Sequence, residues 1–449
     1  MDDRDLPRLE EAIGVIWEKA REMGLDPFPT HFEIVPAAIL YEFGAYLLPG
    51  RFSHWTHGKA YYTMKSNYDY GLSKIYELVI NANPSYAFLL DTNSLLHNKF
   101  VVAHVFGHTD FFKHNVWFAP TNRQMVESAG QNAQRIRQYG FDEGNEQVEQ
   151  FLDAVLSISD HIDPYPRREG MEGRALLAKS QGRAASYSDL SPPQVSEPSH
   201  AATPRRKIPP EPEKDLLLFL LQHADLEDWQ RDILAIVREE SLYFVPQMQT
   251  KIMNEGWASF WHSRIMRSLT LDDGEYVEFM RLHSSVCAPG RTRLNPYFLG
   301  LKIFEDLEER FGREKIFEVR EMENDVSFLR SYLTKELCAD LDLFVYALED
   351  DAWTVTDKDW ENVRDTIVES MTNFGFPYIV VADGDYRGRR ELYLRHHHDG
   401  RDLDLPYAEK TLAHVHQIWQ HPVHLETLDG ERPCLFTCDG EMVQKAYLQ

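Results

Sequence analysis

Residues 93–112 of the chain read NSLLHNKFVVAHVFGHTDFF, and residues 254–262 read NEGWASFWH. On a helix at about 100° per residue, His97 stands about 20° to one side of His104 and His108 about 40° to the other. Three imidazoles therefore share an arc of roughly 60°. In the second stretch Glu255, Ser259 and His262 fall on one face, again within about 60°. Glu255 sits among Gly256, Trp257, Ala258, Phe260 and Trp261, a buried setting rather than a wet one. A buried carboxylate needs a cation or several donors, because desolvating it alone costs on the order of several kcal/mol. Two imidazoles and one carboxylate make the donor set of hydrolytic zinc sites, with a fourth position left open.

The elements that must position these groups are also legible. PSYAFLLDTNS reads as a short apolar strand running into a turn, with Asn93 or Ser94 placed to cap the following helix. Strand, turn and a helix bearing His-x-x-x-His is how H-E-x-x-H hydrolases present two ligands. The Glu of that motif, the general base, is replaced here by Val105. A carboxylate from elsewhere can fill the role: Glu77 on the helix expected before the strand, Glu42, or Glu146 and Asp153 on an acidic helix. His97 or His262 are alternative bases, since imidazole titrates near neutrality. The remaining alternative is a metal that is structural, redox-active or absent, with no hydrolysis.

Each further candidate carries a bland reading beside the functional one. His97 can equally be a capping residue one turn into its helix. Asp110 and His114 can orient ligands or end a helix in solvent. Glu146, Glu149, Asp153 and Asp160 form a stripe that reads first as an exposed face. His54, Trp55 and His57 form a loop that lines a groove or packs on itself. Arg291 and Arg293, beside Asn295, suit a carboxylate-bearing substrate or surface ion pairs. In His396–His398 alternate residues of a hairpin face opposite sides, so at most two could meet. Cys434 and Cys438 are half a zinc site or an inert reduced pair.

The chain has 449 residues, enough for two or three domains, with 43% hydrophobic and 12% aromatic residues. A net charge of −25, from 47 basic and 72 acidic residues, argues against a nucleic-acid binder, which needs a basic face. Four cysteines exclude a disulfide scaffold. The first residues are charged and lack a signal core, and no run approaches about 18 apolar residues, so a cytoplasmic protein without membrane insertion is expected.

An amphipathic helix is expected over 5–24 and a helical stretch over 70–83. Residues 166–213, rich in Pro, Ser, Ala and Arg, read as a flexible linker or insertion. Helical patterns resume from 214. The last stretch carries two hairpins, turning at 383–388 and at 429–430, around PYAEKTLAHVHQIW, a β-β-α-β-β module. The expected parts are 1–165 and 214–372 as two pieces of one helical core, 166–213 between them, and 373–449 as a terminal α/β module. The fold class is α+β.

The pair HVFGH and NEGWASFW resembles zinc-peptidase-like proteins that carry H-E-x-x-P-G-H-H on one helix and a distant E-G-W-A-L-Y. Five residues span the two His here, against six there. The segments YEFGAYLLPGRFSHWTHGKAYY, YGLSKIYELVINANPSYAFLLDTNSLLHNKFVVAHVFGHTDFFKHNVWFAPTNR, NEGWASFWH and NPYFLGLKIFEDLEERFG resemble the stage V sporulation protein R (SpoVR) family. The resemblances imply a mainly helical, zincin-like (gluzincin-like) core with a zinc bound by His104, His108 and Glu255. They imply a role in the spore cortex, a modified peptidoglycan layer, and a serine-kinase-like partner. The expected function is a zinc-dependent amide hydrolase acting on peptidoglycan peptides or precursors, with Glu77, His97 and His262 as catalytic candidates. A non-catalytic zincin-derived scaffold that binds the kinase-like partner is the alternative, and an iron-carboxylate site drawing on Glu77 and His262 is a third.

Overall fold

A computed structural model of the chain describes residues 5–45, 52, 54–69, 77–165, 207–290, 294–349 and 352–448. It is α+β and mainly helical, and it divides into two compact units, 1–152 with 239–376, and 153–238 with 377–449.

In the first unit, β1 (Thr30–Val35), β2 (Glu77–Ile80) and β3 (Ser85–Leu90) form a sheet in the order β1-β3-β2. β1 runs parallel to β3, and β2 runs antiparallel to it, with Glu77 opposite Leu89. The helical stretch expected over 70–83 is therefore a strand from Glu77 onward, and its earlier part lies outside the described residues. Its Leu, Val and Ile suit a strand as well as a helix, and four residues are too few for periodicity to decide. Of the loop expected at His54, Trp55 and His57, Trp55 and His57 begin a helix, Trp55–Asp69, and His54 lies just before it. There His57 Nδ1 lies 3.1 Å from the Ala45 carbonyl and packs on Phe52.

β3 leads through a short turn into the histidine helix, Leu95–His114, capped by Ser94, whose hydroxyl accepts from the His97 amide. Every residue from Phe100 to Phe112 is buried, so this helix is surrounded on all sides. The carboxylate helix, Lys251–Ser268, is buried nearly as completely and crosses it. Helix Pro296–Phe311 packs on the far side of the carboxylate helix, and helix Asp5–Glu22 covers the histidine helix with Leu9, Ile16 and Ala20. The core between them holds Trp257, Trp261, Phe260, Phe304 and Phe328, each fully buried. A small hairpin of β4 (Val345–Glu349) and β5 (Ala352–Asp357) precedes helix Trp360–Ser370 in this unit.

The second unit is built on a sheet of five strands, β6 (Ile379–Tyr386), β7 (Glu391–His396), β8 (Val423–Asp429), β9 (Arg432–Cys438) and β10 (Val443–Tyr447). They lie in sequence order, and β7 and β8 are parallel, joined by helix Leu405–Trp419. Both expected hairpins are present, and β10 adds a strand at the edge. The contacts draw the parts differently from the expected boundaries, because 214–238 groups with this sheet rather than with the helical core. Glu213 bridges Val381, Phe219 packs on Trp419 with ring centroids 5.7 Å apart, and Asp225 pairs with Arg390 at 2.8 Å. Helix Leu216–His223 buries Leu216, Leu217, Phe219 and Leu220.

One buried acid makes the stability of the first unit depend on pH. Burial pushes the Glu240 carboxyl up to about 7, with the Asn132 amide opposing and Glu239 reinforcing the shift. Because this folded value lies above the unfolded one of 4.5, stability from this group is greatest below the unfolded pKa and falls as pH rises through 7. The advantage of wild type over Glu240→Gln in urea unfolding should shrink by about 2.5 kcal/mol between about pH 5 and pH 8.5. An unchanged difference across that range would contradict this reading.

Candidate metal centre

The histidine and carboxylate helices approach so closely that no side chain fits between them at the crossing. A Cβ on Gly107 would stand 2.6 Å from the Ala258 Cα. A Cβ on Gly256 would overlap the backbone of Gly300 on the next helix. Gly107 sits beside His108 in sequence, so its backbone contact with Ala258 sets how far His104 and His108 stand from Glu255, while the Gly256–Gly300 contact seats the carboxylate helix on its other neighbour. The two helices are also pinned by Asp110, which is fully buried and accepts from three donors. These are the Trp257 indole at 2.9 Å, the Asp26 amide at 2.8 Å and the Arg320 guanidinium at 2.9 Å.

At the crossing, His104 Nε2 lies 3.5 Å and His108 Nε2 3.4 Å from the same Glu255 oxygen, Oε2. A second carboxylate arrives from β2, with Glu77 Oε1 3.5 Å from His104 Nε2. Ligand atoms of Glu77, His104 and His108 lie within 4.8 Å of one another. The outward nitrogens of both imidazoles are engaged. His108 Nδ1 lies 2.9 Å from Asn254 Oδ1, and His104 Nδ1 lies 2.8 Å from His262 Nδ1. Both rings thus turn Nε2 inward. Tyr297, in the first turn of its helix, stacks on His104 with ring centroids 5.9 Å apart.

The carboxylates and imidazoles of the cluster shift one another. Burial would push the Glu255 carboxyl up, but the His104 and His108 imidazoles facing it hold it well below the usual carboxylate range. Burial works against a proton on His108, yet Glu255 and Glu77 opposite raise it above the ordinary imidazole value. Burial, with both carboxylates nearby, pushes the Tyr297 hydroxyl far up and keeps it protonated. His104 Nε2 and Glu255 Oε2 are sealed from solvent without a hydrogen-bond partner. Two inward imidazole nitrogens and two carboxylates around such atoms fit a divalent ion of the zinc or iron type.

His104, His108, Glu255 and Glu77 come together, and His262 joins them from behind His104. His97 does not. It lies seven residues before His104, about 10.5 Å along the axis, with Nδ1 2.9 Å from the Ser94 hydroxyl and 3.6 Å from Glu278. Sharing a helical face was the misleading signal, since it ignores the axial distance. Val105 is buried in the apolar core. Glu42, Glu146 and Glu149 are exposed, and Asp153 is half-buried. Asp110 locks helices rather than orienting a ligand, and His114 contacts the Asp26 carbonyl at 3.1 Å. Asn295 caps its helix, while Arg291 and Arg293 lie outside the described residues. His396 lies 2.9 Å from the Thr427 hydroxyl and His398 2.9 Å from Asp402, so those two have separate partners. Cys434 and Cys438 are both buried along β9, where four residues span about 13 Å.

Tyr297, Asn254 and His283 were not singled out from the sequence. Asn254 adjoins Glu255, and the Asn-Pro start of a helix places Tyr297 in its first turn. For His283 no local signal exists.

A family model described as SpoVR like protein matches residues 3–376, and one described as SpoVR-like C-terminal domain matches residues 377–430. The chain belongs to the SpoVR family. Among its relatives is the uncharacterized protein YcgB of Escherichia coli strain K12, 29% identical over 496 residues, which cover 97% of this chain and 95% of that protein. No solved structure matches the chain. The His and Glu cluster lies within the part matched by the first SpoVR model. No helix among the described residues is long and apolar enough to cross a membrane.

Removing Asp110 tests what holds this SpoVR site together. Asp110→Ala leaves Arg320 buried without its partner and should cost about 3–5 kcal/mol in urea unfolding. A loss below about 1 kcal/mol would mean that the bridge does not hold the crossing.

Proposed function

We propose that this SpoVR-family chain is a metal-dependent amide hydrolase of gluzincin-like design, acting on peptidoglycan-derived peptides or precursors in spore-cortex formation. His104, His108 and Glu255 would hold the ion, and zinc is the metal that this set suits best. When bound, the ion supplies Lewis acidity, which lowers the pKa of water and polarises a carbonyl. The observation carrying the reading is Glu77, a carboxylate brought by β2 to 3.5 Å from His104 Nε2 although Val105 has removed the motif's own base. Glu77 takes a proton from the attacking water as its oxygen adds to the amide carbon. It then returns that proton to the amine as the C–N bond breaks. The protonated Tyr297 hydroxyl, which bonds Glu255, would turn from it to donate to the carbonyl oxygen as charge develops there. A cytoplasmic location, which goes with this proposal, favours precursors or recycled fragments over mature wall.

A second reading rests on the same approach. With His104 and His108 in one group of ligand atoms, Glu77 would be a fourth ligand, and two His with two carboxylates suit iron. In the scaffold alternative a groove of the core and the C-terminal module bind the serine-kinase-like partner, and Glu255→Gln would leave the cellular phenotype intact.

Purified protein should contain one zinc per chain by elemental analysis, lost in His104→Ala, His108→Ala and Glu255→Gln. Glu77→Gln should keep the metal while hydrolysis of stem-peptide amides falls about 10²- to 10⁴-fold. Wild type free of transition metal would end the proposal. Loss of metal from Glu77→Gln would make Glu77 a ligand instead of the base.

A further inference from the structure

Behind the ligand pair runs a line of imidazoles that the hydrolytic reading does not use. His104 Nδ1 lies 2.8 Å from His262 Nδ1, and His262 Nε2 lies 2.8 Å from His283 Nδ1. The rings come from three helices, Leu95–His114, Lys251–Ser268 and Asp273–Val286. His262 is fully buried, with Phe100 packed on its ring at 4.4 Å between centroids. His283 is half-buried, with Cys287 Sγ 4.0 Å from its Nδ1 and Arg267, Lys302 and Glu305 around it.

We propose that His104, His262 and His283 form a directional chain of neutral imidazoles that fixes which nitrogen His104 offers to the metal. His262 is the positioning residue and His283 its outer anchor. This rests on the metal reading above.

A neutral imidazole has one donor and one acceptor nitrogen, so each hydrogen bond sets the next. A ligand nitrogen carries no proton. With Nε2 of His104 turned to Glu255 and Glu77, its proton must sit on Nδ1 and be donated to His262 Nδ1. The proton of His262 then sits on Nε2 and is donated to His283 Nδ1, leaving His283 Nε2 protonated. The reverse order would put a proton on His104 Nε2, at the position that must bind the ion. Both nitrogens of His262 are engaged, so its ring cannot turn without breaking both links. The competing acceptor is the Ala258 carbonyl, four residues back, which also faces the His262 ring. A proton drawn to Nδ1 by that carbonyl would break the chain at its first link. Groups that orient metal-binding imidazoles in this way typically contribute about 10- to 100-fold to metal affinity.

The test uses the full-length protein with zinc(II) alone, its affinity read by competition with a chromogenic chelator. His262→Phe should weaken zinc binding about 10- to 100-fold, His262→Gln should recover part of the loss, and His283→Phe should lose less. Long-range ¹H–¹⁵N spectra of histidine-labelled wild type, with and without zinc, give the tautomers directly and remain decisive if His262→Phe does not fold. The expected pattern is a proton on Nδ1 of His104 and on Nε2 of His262. Zinc affinity of His262→Phe within about twofold of wild type, or a proton on His262 Nδ1, would overturn the chain. Wild type that binds no zinc refutes the metal reading instead, and the zinc-free spectra still decide the order of protons.

Discussion

Backbone-to-backbone contact at the helix crossings is the constraint on which the rest depends. Gly107 lies against Ala258, and Gly256 against Gly300. Where two helices touch without side chains between them, their separation falls to the low end of the usual range of about 8–10 Å. The long imidazole and carboxylate arms on either side then meet instead of spanning a gap. The small residues next to the ligands therefore determine the geometry as much as the ligands do. Bulk at Gly107 would separate the donors, and bulk at Gly256 would push the carboxylate helix off helix Pro296–Phe311.

The same core carries several buried acids, and each is compensated differently. Asp110 has a guanidinium, an indole and an amide. Asp325 receives the first amides of the carboxylate helix, Ile252 at 2.8 Å and Met253 at 2.9 Å, and burial still pushes it up to about 7. Glu255 has two imidazoles and one oxygen with no hydrogen bond. The first two arrangements are closed networks that hold helices in register. The third is open, and a partly buried carboxylate with a sealed, unbonded oxygen is where a ligand has something to complete.

The central helices were legible from pattern. Ser94 capping, the face shared by His104 and His108, the burial around Glu255 and the terminal hairpins all follow from local spacing and turn chemistry. What escaped depends on distance through space. Glu77 was expected on a helix but stands on a strand, because ELVI is short and apolar in either state and pairing with β3 decides it. His97 shared an angle with His104 but not a height along the axis. Tyr297, His283 and Arg320 lie far along the chain from the motifs they serve, and a single sequence carries no sign of that proximity. The loop expected at Trp55 and His57 failed because aromatic and His-rich composition does not preclude a helix.

The assignment of helix Leu216–His223 to the C-terminal sheet bears on how the chain can be divided. The two family models meet between residues 376 and 377, which looks like a natural place to cut. The unit on the C-terminal side, however, includes 153–238. A fragment ending at 376 would keep helix Leu216–His223 but lose β6, on which it packs, and Trp419, which lies against Phe219. It would present an adhesive apolar surface of the kind that drives aggregation. The terminal sheet is in this sense the lid of a segment made more than a hundred residues earlier, so homology boundaries and folding boundaries diverge in this chain.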